Sequence, residues 1–262
     1  MSDITDLLTL ATGAAHAAGA LLLERFGGPQ SGLRAKSSRT DLVSDADRDA
    51  EALLVGLLHE ARPDDGLVAE EGSAARGTTG VRWSVDPLDG TINYLWGIPH
   101  WSVSIAATDD DGDLVAVVLD PCRGETFTAA RGGGAWSGDA RLVLTPSDDL
   151  SEALVGTGFS YVAEERARQA ETLRRFLPHV RDVRRFGSAA LDLAWVAAGR
   201  MDAFYETGLS PWDWAAGGAL VRGAGGTAGL VRMSGRPDGF VAARPGLREP
   251  LLALITGADQ TA

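Results

Sequence analysis

From Val81 to Arg131 the chain is crowded with apolar stretches of strand length, and no other feature restricts its fold as strongly. "VRWSVD" sets Val81, Trp83 and Val85 on one face, and Pro87 forces the residue before it to stay extended. "SVSIAAT", "LVAVVLD" and "ETFTAAR" follow, joined by the turn-like "DDDGD" and "PCRG". That is the pattern of an antiparallel meander.

Helical periodicity flanks this region. Ile4, Leu7, Leu8, Ala11, Ala15, Ala18 and Leu22 recur at helical spacing and predict a helix over 3–26, stopped by Gly27 and Gly28. A second helix is predicted over 45–60, with Leu53, Leu54, Leu57 and Leu58 near one face and Pro63 beyond its end. Past residue 145 strands and helices alternate. "EALVGTG", "VRRFG", "MDAFYE", "GLVRM" and "GFVAAR" read as strands, and 163–177, 188–198, 212–222 and 246–256 as helices. The expected class is α/β, with an α+β half over 1–145 packed on an α/β half over 146–262. No Pro- or Ser-rich linker separates the halves, which predicts two subdomains sharing one core.

Composition narrows the function. Hydrophobic residues make up 45% and charged residues 23%, an ordinary folded balance. The lone Cys122 excludes an intrachain disulfide and a cysteine zinc site. The apolar run "GAAHAAGALLL" is shorter than the roughly 20 residues of a membrane span, and "MSDITD" lacks a basic leader, so a cytoplasmic protein is expected. A net charge of −12 argues against nucleic acid or an anionic membrane as partner. An anionic substrate would then need bound divalent cations, which invert the local field.

Acidic residues recur where elements begin and end: Glu70 and Glu71 in "VAEEG", Asp86 and Asp89 in "VDPLDGT", Asp213 in "SPWDWAAG". Hard oxygen donors of this kind suit Mg²⁺. Each also has an ordinary structural reading: an Asp at a helix start caps it, a Glu pair sits in a solvated loop, and Asp-Pro-x-Asp-Gly is a turn. The spacing D-P-L-D-G-T is not the D-x-D-x-T of an aspartyl-phosphate nucleophile. "GAGGTA" from Gly223 formally matches a dinucleotide fingerprint, but it follows a helix rather than a strand. His16, His59, His100 and His179 are scattered without metal-like spacing. His100 alone lies near the Asp-rich turn, and Trp96 falls in the "INYLWGIPHW" loop at a substrate entrance or dimer contact.

Taken together, Asp86-Pro87-Leu88-Asp89-Gly90-Thr91 and Trp212-Asp213-Trp214-Ala215-Ala216-Gly217 resemble the paired signature of the inositol monophosphatase family. "AKSSRTDLVSDAD" (35–47), "AEEG" (69–72) and "GSAALDLAWVAAGRMDAFYE" (187–206) sit in the expected order, so the resemblance spans the whole chain. It implies a layered α-β-α-β-α sandwich, a homodimer, and Mg²⁺-dependent hydrolysis of a small phosphorylated polyol or sugar, inositol 1-phosphate first. Histidinol phosphate, fructose 1,6-bisphosphate, 3′-phosphoadenosine phosphate and a regulatory binding role are the alternatives. By the same resemblance Glu70, Asp86, the Leu88 carbonyl, Asp89 and Asp213 match ligands of two or three Mg²⁺ ions. Glu70 and Thr91 match the residues that activate a water, with Asp47 supporting Thr91. Gly90 and Thr91 match phosphate contacts, and Ser188, Ala189 and Glu206 polyol contacts. Lys36 matches a loop cation bordering the metals, millimolar Li⁺ inhibition is implied, and Asp192 receives no role.

Overall fold

A computed structural model of the chain describes residues 4–28, 31–35, 42–233 and 237–257; Lys36 and the rest of 36–41 lie outside the described residues. Helix α1 (Ile4–Arg25) buries Leu7, Ala11, Ala14, Ala15, Ala18 and Leu22 in one stripe. It crosses α2 (Asp45–Ala61), and the two cover one face of a large sheet. Gly19 sits where α1 meets that sheet: a Cβ there would lie 2.6 Å from Leu119 Cδ2. By length and composition α1 is apolar enough to cross a membrane, with mean hydropathy 1.4, a test that a buried core helix also passes. Its apolar stripe is instead packed into the protein core.

Between α1 and α2, β1 (Arg34–Ala35) and β2 (Leu42–Val43) pair as a ribbon. The large sheet holds β3 (Gly66–Ala69), β4 (Ala74–Ala75), β5 (Arg82–Asp89), β6 (Ser102–Asp109), β7 (Gly112–Asp120), β8 (Glu125–Ala130), β9 (Gly134–Ser137) and β10 (Ala140–Leu142). Its order is β10-β9-β8-β7-β6-β5-β3-β4, antiparallel except for the β3/β5 pair. A short helix, α3 (Thr91–Leu95), follows β5 where the sequence reading has only a loop. The second sheet holds β11 (Leu154–Thr157), β12 (Asp182–Arg184), β13 (Ala203–Thr207), β14 (Thr227–Val231) and β15 (Gly239–Ala243), in the order β12-β11-β13-β15-β14. β11 runs parallel to β12 and β13, while the β13/β15 and β14/β15 pairs are antiparallel. The expected strand "VRRFG" shortens to β12, because Phe186 and Gly187 turn away toward the next helix.

Alternation along single strands builds the layers. Val115, Val117 and Leu119 of β7 enter the core under α1 and α2, while Ala116 and Val118 between them enter a second core. That second core is filled by α5 (Ala189–Ala197) and α6 (Pro211–Gly223), which lie between the sheets. Their small residues permit close crossing: a Cβ on Gly217 would fall 2.4 Å from Leu193 Cβ. In the second sheet Phe204, Phe240 and Ala242 face the same middle core, whereas Tyr205, Val241 and Ala243 face a third. Phe176 of α4 (Ala163–Phe176) and Leu251 and Ile255 of α7 (Arg248–Thr256) close that outer core. The result is the expected α-β-α-β-α stack. Both faces of the central strands are covered, which is why "LVAVVLD" is apolar throughout rather than at every second residue.

Candidate active site

The signature stretch forms the end of β5 and the start of α3. In a regular strand Asp86 and Asp89 would point to opposite faces, since side chains alternate. The ladder to β6 pairs Asp86 with Ser104 and Asp89 with Ser102, three steps against two, so a bulge intervenes at Pro87 and Leu88. Proline tolerates this because it has no ladder donor to lose. The extra residue turns both carboxylates to the same side. Asp213, from the first turn of α6, completes the group: oxygens of Asp86, Asp89 and Asp213 lie within 4.8 Å of one another.

Each carboxylate spends part of its bonding capacity on the protein. Asp86 Oδ1 accepts from the Leu88 amide at 2.9 Å. Asp89 Oδ2 accepts from Ser188 Oγ at 2.6 Å and from the Ala190 amide at 2.7 Å, at the start of α5. Asp213 Oδ2 accepts from the Ser210 amide at 2.6 Å, closing the capping box of α6. Asp213 is therefore both a cap partner and a member of the cluster. Among the described residues no Lys or Arg forms an ion pair with any of the three. Burial first, and then Glu70 and the neighbouring aspartates, push the Asp86 carboxyl well above the usual range. Burial and the charges of Asp89 and Glu70 do the same to Asp213. Asp89 rises less, because Ser188 and the α5 amides counter its burial. Buried like charges without a partner are costly, and oxygen donors in this arrangement fit a hard divalent cation. Leu88 is buried beside them.

Thr91 and Asp47 meet next to the cluster. Thr91 Oγ1 lies 3.0 Å from Asp47 Oδ1 and 3.1 Å from the Leu88 carbonyl. Asp47 Oδ2 accepts from the Ser44 amide at 2.9 Å and from Ser44 Oγ at 2.6 Å, so its geometry is set by the α2 capping box. Ser44-x-x-Asp47 and Ser210-x-x-Asp213 are thus one local device used twice. Gly90 connects the two halves of the motif at φ +97°, and a Cβ there would lie 3.2 Å from the carbonyls of Gly187 and His100.

A cavity of about 630 Å³ opens over these groups, bordered by Glu70, Gly90, Thr91, Ser188, Ala189 and Glu206 among others. Glu70 hydrogen-bonds to Asp86 from across the site. Ser188 is fully buried and its hydroxyl is turned to Asp89, and the Ala189 amide also donates to that carboxylate. Glu206, on β13, stands away from the cluster; burial is the main cause that pushes its carboxyl up to about 8, with Arg185 opposing. Its carboxyl packs on Gly158, where a Cβ would fall 2.0 Å from Oε2. Trp96 is 66% exposed beyond α3. His100 is buried between Phe186 and Trp195, each ring 5.0 Å from its own, and burial lowers it to about 4. Gly223 ends α6 and leads into a turn, in keeping with a helix stop rather than a dinucleotide loop.

Several cavity residues were not singled out from sequence: Phe159, Ser160 and Tyr161 after β11, and Arg168 and Arg185. None belongs to a spaced motif, and only the tertiary fold brings them to the rim. Asn93 is a different case, since it lies inside the signature. Its amide donates to the carbonyls of His100 and Phe186, both at 2.7 Å, and so ties α3 to the segment leading into α5.

The model of the inositol monophosphatase family matches residues 3–253. The inositol-1-monophosphatase SuhB of Mycobacterium tuberculosis is 43% identical over 244 residues, covering 89% of this chain and 84% of its own. The Nus factor SuhB of Escherichia coli is 41% identical over 222 residues, covering 84% and 83%. The crystal structure of the extragenic suppressor protein SuhB of Bartonella henselae superposes with a TM-score of 0.87 at 35% identity, covering 98% of this chain and 100% of that one.

Proposed function

Since the chain belongs to the inositol monophosphatase family, we propose that it is a Mg²⁺-dependent phosphatase of a small phosphorylated polyol, inositol 1-phosphate before other phosphomonoesters. The observation that carries this reading is the cluster of Asp86, Asp89 and Asp213, without a cationic partner among the described residues, beside the Thr91–Asp47 pair. Asp86, Asp89, Asp213, Glu70 and the Leu88 carbonyl would hold two or three Mg²⁺ ions. Bound there, the metal supplies Lewis acidity, making water a better nucleophile and neutralising charge on phosphate and leaving group.

The chain's own groups do the rest. Thr91 Oγ1 donates to Asp47 Oδ1, which leaves its lone pairs to accept from a water and aim it at phosphorus. Glu70, facing that position, takes the proton the water loses. The backbone at Gly90 and Thr91 approaches the phosphate, and Glu206 and the start of α5 meet the alcohol. The P–O bond to the alcohol breaks, the leaving alkoxide takes a proton from solvent water, Glu70 returns its proton to solvent, and inorganic phosphate and a free polyol result.

Phosphate release should be followed on a panel of inositol 1-phosphate, histidinol phosphate, fructose 1,6-bisphosphate and 3′-phosphoadenosine phosphate, with Mg²⁺ and with chelator, for the wild type and Asp89→Asn. Turnover that survives metal removal would sink the mechanism. Relatives named Nus factor favour a second reading, a regulatory binding protein on the same fold. Absence of turnover on every phosphomonoester in the panel would favour it. A homodimer belongs to the first reading, supported by exposed Trp96 and Ile98 just after α3, and sedimentation velocity tests it.

A further inference from the structure

Asp192 is a buried acid at the cavity to which the chemistry above assigns nothing. It lies in the first turn of α5, 1% exposed, and borders the same cavity as Glu206. One of its oxygens stands 3.3 Å from His100 Nε2. That ring is itself immobilised between Phe186 and Trp195, and Asn93 anchors the His100 carbonyl. The other Asp192 oxygen accepts no hydrogen bond from the described residues. That oxygen is not sealed in the core but reaches the cavity, where a ligand's donor can meet it.

The charges around the cavity indicate what that donor is. Asp192 and Glu206 lie close enough for their carboxyls to repel each other, and Arg185 acts on both. A phosphate would be repelled by this acidic wall, whereas a hydroxyl can donate to it. A substrate entering phosphate-first toward Gly90 and Thr91 turns its alcohol toward Asp192 and Glu206. We infer that Asp192, held in place by His100, determines specificity by accepting a hydrogen bond from one hydroxyl of the substrate's alcohol while Glu206 takes another. The ligand class is a phosphorylated polyol with at least two free hydroxyls. The inference rests on the phosphatase reading and adds to it the residue that tells a polyol from a simple alcohol. A site built to bind a hydroxyl discriminates against substrates that lack one.

The test is the ratio of kcat/KM for inositol 1-phosphate to that for p-nitrophenyl phosphate, whose leaving group has no hydroxyl for Asp192. Asp192→Ala should lower this ratio roughly 3- to 10-fold, the range for losing one hydrogen bond. Asp192→Asn, which keeps an acceptor oxygen, should restore most of it, and His100→Gln should lower it less than the alanine variant. A purely structural role would depress both substrates together and leave the ratio unchanged, which overturns the inference. If Asp192→Ala does not fold, the ratio in His100→Gln decides the matter in the same way. A wild type that hydrolyses neither compound brings down the phosphatase reading and this inference with it. A wild type active on both, with an unchanged ratio in the variants, brings down this inference alone.

Discussion

Replacing Asp213 by asparagine should make the metal-free protein more stable while weakening its response to Mg²⁺. The oxygens of Asp86, Asp89 and Asp213 lie within 4.8 Å of one another. Two ionised carboxylates at that separation repel by roughly 3.5 kcal/mol at an effective dielectric constant of about 20. Asp213 takes part in two of the three pairs. Proton uptake caps the repulsion: an ordinary aspartate can be protonated at pH 7 for about 4 kcal/mol. That escape, added to burial, is what the raised Asp86 and Asp213 carboxyls reflect. The asparagine oxygen can still accept from the Ser210 amide, so the α6 cap survives. The net gain expected is about 2 kcal/mol, or ~4–8 °C in melting temperature for a chain of this size.

Scanning calorimetry of both proteins, in chelator and in millimolar Mg²⁺, measures the effect. Between the ordinary carboxylate pKa and the raised one, the native metal-free protein binds more protons than the unfolded chain. Wild-type stability in chelator therefore falls as pH rises across that window. The advantage of the variant grows with pH and vanishes near pH ~4. Mg²⁺ should raise the melting temperature of the wild type, since it binds only the folded cluster, and that of the variant much less. A variant that is less stable in chelator and keeps the full Mg²⁺ shift would refute the reasoning.

Three further outcomes follow from the same geometry. Thr91→Val keeps the shape but removes the hydroxyl between Asp47 and the Leu88 carbonyl; kcat should fall about 100-fold with KM little changed, and an unchanged kcat would remove Thr91 from the mechanism. Gly90→Ala places a Cβ 3.2 Å from two carbonyls at φ +97°; urea denaturation should show a loss of about 2–3 kcal/mol, and a neutral result would mean the loop relaxes freely. Asn93→Leu leaves the His100 and Phe186 carbonyls without their donor; a loss of about 2–4 kcal/mol is expected, and a smaller one would show that water replaces the amide.

Much of the fold is legible in the chain because hydrophobic periodicity is a local property. The helices over 3–26 and 45–60 come out as Ile4–Arg25 and Asp45–Ala61, and the meander as β6, β7 and β8. What escapes is short: α3 has five residues, β4 two and β10 three, too few to express a period. The cavity rim escapes for another reason. Arg185, Ser160 and Tyr161 carry no motif, and their place over the site depends on how the second sheet packs against α5 and α6.

By itself the sequence determined the donor set and its local devices. Asp86, Asp89 and Asp213 are read from two short motifs, and Ser44 and Ser210 each stand three residues before an aspartate. Whether those aspartates were ordinary caps and turns or one cluster was not decidable from spacing, because distances between remote segments are not local properties. The tertiary structure decided it. A bulge at Pro87 and Leu88 turns two carboxylates to the same side, α6 delivers a third within 4.8 Å, and α5 fixes Asp89 through Ser188 and Ala190. Burial without a countercharge among the described residues is what lets the group hold a cation, and burial comes from the middle layer between the two sheets.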